Sequence, residues 1–434
     1  MVRHLKSRSV SVAVLLALTP VALDAQSSRP ASSERDAAVL TVTASSAAED
    51  NGQQEGIDVR DPQYQGVRLA SLLTAAVSYN EMKENSTGWQ FAASTGMRHY
   101  ASLHELLPSG QSASGSLAVL LGRRFNLSVS GSAAYSPNYS LVFGAIAPVD
   151  ADPMPSTTAD YSVVKRGVYS SATNSALSVK LDNRTTLRLS GGLQRSDFVN
   201  PEDPSLNAWD GLVRLTRQLT RSAGLHVGYG RKSGRYGLNA GVDRVVIDDI
   251  DVGLDYNRPL SSSRRTFLSF GSGSAMSSGR TGQRDYSITG NANLSHGFGR
   301  TGHVTLAYDR SLRMLEGFST PVFTDNVLMS LVGNVAPRVA LTTSAGYSVG
   351  LARTAETDTM ATDNGLRAWT ATGRVNILLN KRSTLYAEYQ RYQYNIGQSV
   401  HLLARIPNDQ DRQTLRVGLS IGVPLVRERI RERK

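Results

Sequence analysis

Histidine and serine raise the first chemical question, which is whether the chain is a hydrolase. The histidines beyond the N-terminus are His99, His104, His226, His296, His303 and His401. A Ser–His–acid triad is recognised by its geometry, and no motif in this sequence brings the three residue types together. His226 and His303 also follow short polar turns, so in a membrane barrel they would lie on the periplasmic side, away from lipid of the outer leaflet. We therefore predict no enzyme activity, with an outer-membrane hydrolase as a minor alternative.

Metal or cofactor chemistry has little support in the sequence. His99 and His104 lie close together, with Glu105 adjacent, but their spacing does not bring them to one side of a helix. The chain has no cysteine, which excludes disulfide scaffolds, thiolate zinc sites, iron–sulfur clusters and cysteine nucleophiles. We predict neither a metal site nor a cofactor.

A set of polar residues alternates with apolar ones along predicted strands, and these polar residues should face an enclosed interior. Fixed charges around a pore favour counter-ions, so they are candidates for solute selection. The signs are mixed, so neither anion nor cation preference is predicted. The predicted lumen-lining residues are Arg188, His226, Asp251, Asp255, His303, Asp309, Arg313, Glu388, Gln390 and Arg416.

Strands with a period of two must position these residues. In the last segment Leu415, Val417, Leu419 and Ile421 are apolar, while Arg416, Gly418 and Ser420 lie between them. Successive side chains of a strand point to opposite faces, so the pattern predicts one apolar and one polar face. The four apolar residues are predicted to face lipid.

Turn residues indicate how the strands are connected. Short polar turns such as Gly122–Arg124, Asp182–Arg184 and Asn380–Arg382 recur at intervals of roughly 40 residues, with longer polar connections between them. Short turns at one rim and long loops at the other are typical of bacterial outer-membrane barrels. The predicted fold is all-β, a transmembrane antiparallel up-and-down β-barrel of about 16–18 strands. A soluble propeller would also repeat at this length, but both faces of its sheets would be packed.

Tyrosines on the apolar face predict an aromatic girdle at the membrane interface. The alternative is that tyrosine simply has a high β-propensity, but the girdle is preferred because these rings share the apolar face of their strands. The predicted girdle residues are Tyr135, Tyr229, Tyr308, Tyr347 and Tyr389.

Four segments are predicted along the chain. Residues 1–25 resemble a signal peptide, with a basic start, an apolar stretch and Ala25 before the cleavage point. Residues 26–66 are predicted to be a flexible periplasmic segment, 67–426 the barrel and 427–434 a basic periplasmic tail. Export makes nucleic acid an unlikely partner in spite of the net charge of +11. Within the second segment, Ala38–Ala44 is similar to the short box of energised transporters.

Three stretches carry a family resemblance: Leu121–Pro137, Val252–Phe270 and Arg416–Leu425. They resemble porin-like outer-membrane β-barrel proteins associated with exopolysaccharide systems. The resemblance implies a bacterial outer-membrane location and, as a function, a water-filled channel or export conduit for exopolysaccharide. Outer-membrane lipid, the barrel assembly machinery and polysaccharide export components are the expected partners. The alternatives are a closed structural or binding barrel, and an energised transporter without a full plug.

Overall fold

A computed structural model describes most of the chain, with gaps at the N-terminus, at the C-terminus and in several connections. The described residues are 34–52, 67–81, 87–100, 105–137, 139–140, 162–164, 167–200, 205–237, 243–259, 265–278, 284–314, 322–352, 365–397 and 409–429. The predicted signal peptide, residues 1–25, lies outside them.

Strands make up the regular structure of these residues. None of the residues that the structure describes belongs to a helix suited by length and hydropathy to cross a membrane. The strands are β1 (Glu34–Gly52), β2 (Val67–Glu81), β3 (Gly88–Tyr100), β4 (Glu105–Leu121), β5 (Phe125–Ser136), β6 (Tyr139–Ser140), β7 (Ser162–Val164), β8 (Val168–Lys180), β9 (Thr185–Phe198), β10 (Ser205–Gln218), β11 (Ala223–Gly237), β12 (Asp243–Pro259), β13 (Thr266–Ser278), β14 (Arg284–Phe298), β15 (Gly302–Arg313), β16 (Val322–Ala336), β17 (Val339–Ala352), β18 (Gly365–Leu378), β19 (Ser383–Ile396) and β20 (Asp409–Arg429).

Eighteen of these strands form one closed antiparallel sheet. Each strand pairs with its neighbours along the chain, except that β5 pairs directly with β8, because β6 and β7 form a small separate hairpin. The sheet closes where β1 pairs with β20. The predicted antiparallel up-and-down barrel is confirmed, at the upper end of the predicted strand number. Because the strand number is even, β1 begins and β20 ends at the same rim.

The N-terminal boundary of the barrel needs correction. Glu34–Gly52 is not a flexible segment but the first barrel strand, in register with β2 over 38–50 and with β20 over nearly its whole length. The Ala38–Ala44 box lies in this strand, with its backbone paired on both sides. The alternation pattern did not predict this strand, because its small Ala and Ser side chains alternate without a strongly apolar face. At the other end β20 continues to Arg429, so the predicted tail begins later than residue 427.

Three of the short turns share one local structure. The side-chain oxygens of Asp182, Thr220 and Asn380 each accept hydrogen bonds from the backbone N–H groups two and three residues further on, at 2.6–3.1 Å. Such Asx and ST turns fix a tight reversal without needing glycine. The backbone N–H of Arg184 is the main reason why the pKa of Asp182 lies below its usual range. At a pH above the usual carboxyl pKa the ionised Asp182 therefore stabilises this turn. That contribution to stability is lost as the pH falls through the lowered pKa.

Candidate functional site

The two faces of β20 define the inside and the outside of the barrel. The predicted lipid-facing side chains of β20 are 36–45% exposed, namely Leu415, Val417, Leu419 and Ile421. Thr414, on the other face of the same strand, is 3% exposed. Cross-strand partners share a face, so the register extends both faces around the sheet. The predicted lipid-facing residues therefore lie on the exposed outer surface, and the alternate positions line the interior.

One section of the inner wall is strongly basic. Glu49 of β1 is fully buried and is shared by two arginines from β3 and β20: Arg98 Nη1 lies 3.4 Å from Oε1, and Arg412 Nη2 lies 3.2 Å from Oε2. The hydroxyl of Tyr100 also donates to Glu49 Oε2 at 3.0 Å. A buried carboxylate needs such partners, because a lone charge in this position would carry a large desolvation cost.

A second Arg–Glu–Arg triad lies beside the first. Glu388 of β19 is 3.4 Å from Arg374 Nη1 and 3.7 Å from Arg416 Nη1. Arg374 also donates to Asn376 Oδ1 at 2.9 Å, and its guanidinium carbon lies 4.0 Å from the ring centroid of Tyr386. The two triads together place four guanidinium groups around two carboxylates. These groups come from β1, β3, β18, β19 and β20.

Gln390 occupies the position between the two triads. In the register Gln390 pairs with Thr414, one inward-facing position along β19 from Glu388. The neighbouring inward-facing residue Tyr392 is 1% exposed. Glu388, Gln390 and Arg416, which parity predicted to line the lumen, are brought together here.

The opposite wall carries a second polar cluster around His226. His226 is on β11 and its partner Asp255 is on β12. Strand β12 lies nine strands from β1 in either direction around the closed sheet, so this cluster lies across the barrel from the triads. His226 is 2% exposed, with Nδ1 3.0 Å from Asp255 Oδ1 and Nε2 3.0 Å from the carbonyl oxygen of Ser272. The β12–β13 ladder is interrupted between Ile250 and Tyr256. Any Cβ at Gly253 would collide with the Ser272 carbonyl, so glycine permits this approach.

A cavity of about 150 Å³ adjoins this cluster, and most of its polar side chains come from inward-facing positions. Asp309 and Arg313, two further predicted lumen residues, form a 2.8 Å ion pair on β15. The residues that line the cavity include Arg214, His226, Asp249, Asp255, Asn291 and Asp309.

The remaining predicted lumen residues do not join either cluster. Arg188 is exposed and pairs in the register with Arg214, so it faces the interior by parity. His303 is exposed near the short-turn end of β15. Asp251 lies in the interrupted part of β12, and its side chain is outside the described set.

Sequence reasoning missed four of the residues in the two triads. Arg374 and Arg412 occupy inward positions that parity alone would have identified, whereas Arg98 lies in a strand whose alternation is weaker. Glu49 had no such signal, because the segment that contains it was taken for a flexible one. A potential metal site is absent from the residues that the structure describes, since no group of three His, Asp or Glu side chains converges there.

Aromatic side chains lie on the outer surface towards the long-loop end of the strands. Tyr308, Val327, Tyr347 and Trp369 form one continuous cross-strand row from β15 to β18. The hydroxyls of Tyr229 and Tyr308 each donate to an aspartate of the next strand at 2.6 Å. Tyr135 contacts Tyr169 on β8 with ring centroids 4.8 Å apart, and Tyr389 is 42% exposed beside Leu415.

The molecule is thus a closed 18-stranded antiparallel barrel with an apolar exterior and a polar, partly basic interior. No protein-family model matches the chain, and no curated protein matches it significantly.

Several solved structures from Pseudomonas aeruginosa align over most of the chain at low similarity. OccK11 (OpdR) is 13% identical, with 90% of this chain and 96% of that chain covered and a TM-score of 0.39. OpdL is 11% identical, with 90% and 99% covered and a TM-score of 0.41. The siderophore receptor PirA is 9% identical, with 88% and 80% covered and a TM-score of 0.42. Sequence identities and TM-scores this low establish neither a shared fold nor a shared function.

Glu49→Gln should reveal how far the first triad depends on its carboxylate. The substitution leaves Arg98 and Arg412 buried without their counter-charge, so the free energy of unfolding should fall by about 3 kcal/mol. Urea-induced unfolding in lipid vesicles measures the change. Glu81→Gln is the control: Glu81 lies at the end of β2, where it accepts hydrogen bonds from Tyr79 and Trp89 that an amide oxygen can also accept, so the substitution should cost less than about 1 kcal/mol. Equal effects of the two substitutions would contradict a dependence on buried charge.

Proposed function

We propose that this chain is an integral outer-membrane β-barrel that forms a water-filled channel. The observation that carries the proposal is the opposite character of the two faces of one closed sheet. Large apolar side chains such as Leu415 and Val417 are exposed on the outside, while triads and polar side chains occupy the inside. A soluble barrel would bury its apolar side chains in the interior instead.

The apolar outer band has the height of a membrane. On β20 it extends from Leu415 to Leu425 at alternate positions. At a rise of about 3.4 Å per residue and a tilt of about 40°, this stretch spans roughly 25 Å along the membrane normal. Barrels in the bacterial outer membrane have an apolar band of about that height, flanked by aromatic residues. The row of Tyr308, Tyr347 and Trp369 lies towards the long-loop end of the strands, which supports an aromatic border there.

The rims determine the orientation of the barrel. The described turns at 122–124, 181–184 and 337–338 lie at the rim where β1 begins and β20 ends. Short turns face the periplasm in bacterial outer-membrane barrels. The first triad lies near the opposite, extracellular rim, since Glu49 and Arg98 are close to the ends of β1 and β3 and Arg412 is close to the start of β20.

A polar interior favours water in the bore over a dry core. On β5 the inward side chains include Asn126, Ser128, Ser130 and Ser132. An 18-stranded barrel is wide enough for an aqueous channel unless loops or a plug fill it. Gln390, Tyr392 and Arg412 on the inner wall are strongly buried, which supports a narrowed bore beside the first triad. A closed binding barrel is therefore the second candidate.

Leu419→Arg and Ser420→Arg form a matched pair that tests the membrane location. Leu419 lies near the middle of the apolar band, where an outward arginine should cost about 2–4 kcal/mol of folding free energy. Ser420 faces the lumen, where its hydroxyl is hydrogen-bonded to Thr43 Oγ1 at 2.8 Å, so its replacement should cost only about 1 kcal/mol for the lost bond. Folding titrations in phospholipid vesicles measure both. A similar cost at the two positions would argue against lipid on the Leu419 side.

Stepwise conductance in planar lipid bilayers should accompany insertion of the purified protein, because ions would cross the polar bore. Boiled protein serves as the control and should give no steps. Heat-dependent gel migration in detergent verifies that the inserted sample is folded. Folded, inserted protein without conductance would favour the closed binding barrel.

Exopolysaccharide as the cargo rests on the family resemblance alone, and so do polysaccharide export components as partners. Deletion of the gene should reduce the polysaccharide at the cell surface if the resemblance extends to function. Complementation with the intact gene is the control. Unchanged surface polysaccharide would count against this cargo and leave the channel itself untouched.

A further inference from the structure

The side chain of Gln390 has unused hydrogen-bonding capacity in a buried place. Gln390 is 3% exposed, and among the described residues neither Oε1 nor Nε2 finds a hydrogen-bond partner. An amide carries a donor and an acceptor whichever way it is turned. Buried polar groups are nearly always hydrogen-bonded, so an unsatisfied one points to a bound group that completes it.

Arg416 has a further unused donor beside this amide. Its Nε is buried without a hydrogen-bond partner among the residues described, and its Nη1 makes only a 3.7 Å contact with Glu388. Arg416 lies one inward-facing position along β20 from Thr414, the register partner of Gln390. The site thus combines donors from two strands with one acceptor.

The surrounding charge indicates which ligand suits this position. Arg98 and Arg412 share Glu49, and Arg374 and Arg416 share Glu388, so each triad keeps one net positive charge. An anion is favoured between two net-positive groups, and a cation is disfavoured. The free Oε1 needs a donor, and a hydroxyl supplies one without adding positive charge.

We propose that Gln390 and Arg416 form a lumen subsite for hydroxycarboxylates. The ligand carboxylate accepts hydrogen bonds from Arg416 Nε and Gln390 Nε2, and its hydroxyl donates to Gln390 Oε1. This inference rests on the proposed channel, since a solute reaches the inner wall through the bore. Because Gln390 is so deeply buried, neighbouring side chains must shift to admit the solute. A simple halide supplies no hydroxyl and leaves the amide oxygen unsatisfied.

Lactate and propionate test the proposal on the unmodified protein, since they are closely similar in size and differ by one hydroxyl. Each is titrated into planar bilayers that contain the channel in potassium chloride, and the concentration that halves the chloride current is measured. Loss of a ligand hydroxyl that satisfies a buried acceptor costs about tenfold in affinity or more. Lactate should therefore act at a concentration about tenfold lower than propionate. Equal potency would overturn the proposal.

Gln390→Leu should abolish the difference between lactate and propionate while conductance persists. The substitution replaces an unsatisfied amide with an apolar group of similar size, which favours folding. Gln194→Leu is the matched control, because Gln194 faces the lumen from β9, far from the triads. It should retain the tenfold preference. A preference for lactate that survives in Gln390→Leu would overturn the subsite.

Failure of the subsite can be separated from failure of the channel. If the folded protein gives no conductance, the proposed channel is contradicted, and titration calorimetry on the detergent-solubilised protein then tests the subsite directly. Lactate binding that exceeds propionate binding and disappears in Gln390→Leu would support the subsite. Equal or absent binding would contradict it.

Discussion

Backbone hydrogen bonding in hydrocarbon is the constraint on which this structure depends. Every N–H and C=O group at membrane depth must find a partner within the protein, because lipid tails offer none. A sheet meets that requirement only when it has no edge. The pairing of β1 with β20 removes the last edge, so the strand at the N-terminus is as necessary as any Leu-rich strand of the wall.

Closure also determines where polar chemistry can exist. Once the outer face is committed to lipid, charged side chains have a low cost only on the inner face. There the arginines of β18, β20 and β3 are close enough to share carboxylates, and the inner wall becomes basic on one side. The cluster around His226 occupies the facing side, where a break in the β12–β13 ladder lets an imidazole reach a backbone carbonyl. Both clusters follow from the same alternation that forms the lipid-facing surface.

The period of two and the spacing of the turns were sufficient to predict the barrel, and the same alternation led us to propose Glu388, Gln390 and Arg416 as lumen residues. They were not sufficient for β1, whose Ala and Ser residues alternate without an apolar contrast. The first triad was beyond sequence reasoning for a geometric reason. Arg412 and Glu49 are 363 residues apart in the chain and meet only through closure of the sheet. The His226 cluster depends on a ladder irregularity, which side-chain parity does not reveal.

The first triad bridges the seam of the barrel, since Glu49 and Arg98 come from the beginning of the chain and Arg412 from its end. A partly synthesised or incompletely inserted protein has the outer surface of most strands but lacks this connection. The charged wall of the lumen is therefore finished at the same moment as the cylinder itself. An open intermediate would present its arginines without a bore to line, and any capacity to select solutes arises together with the final fold.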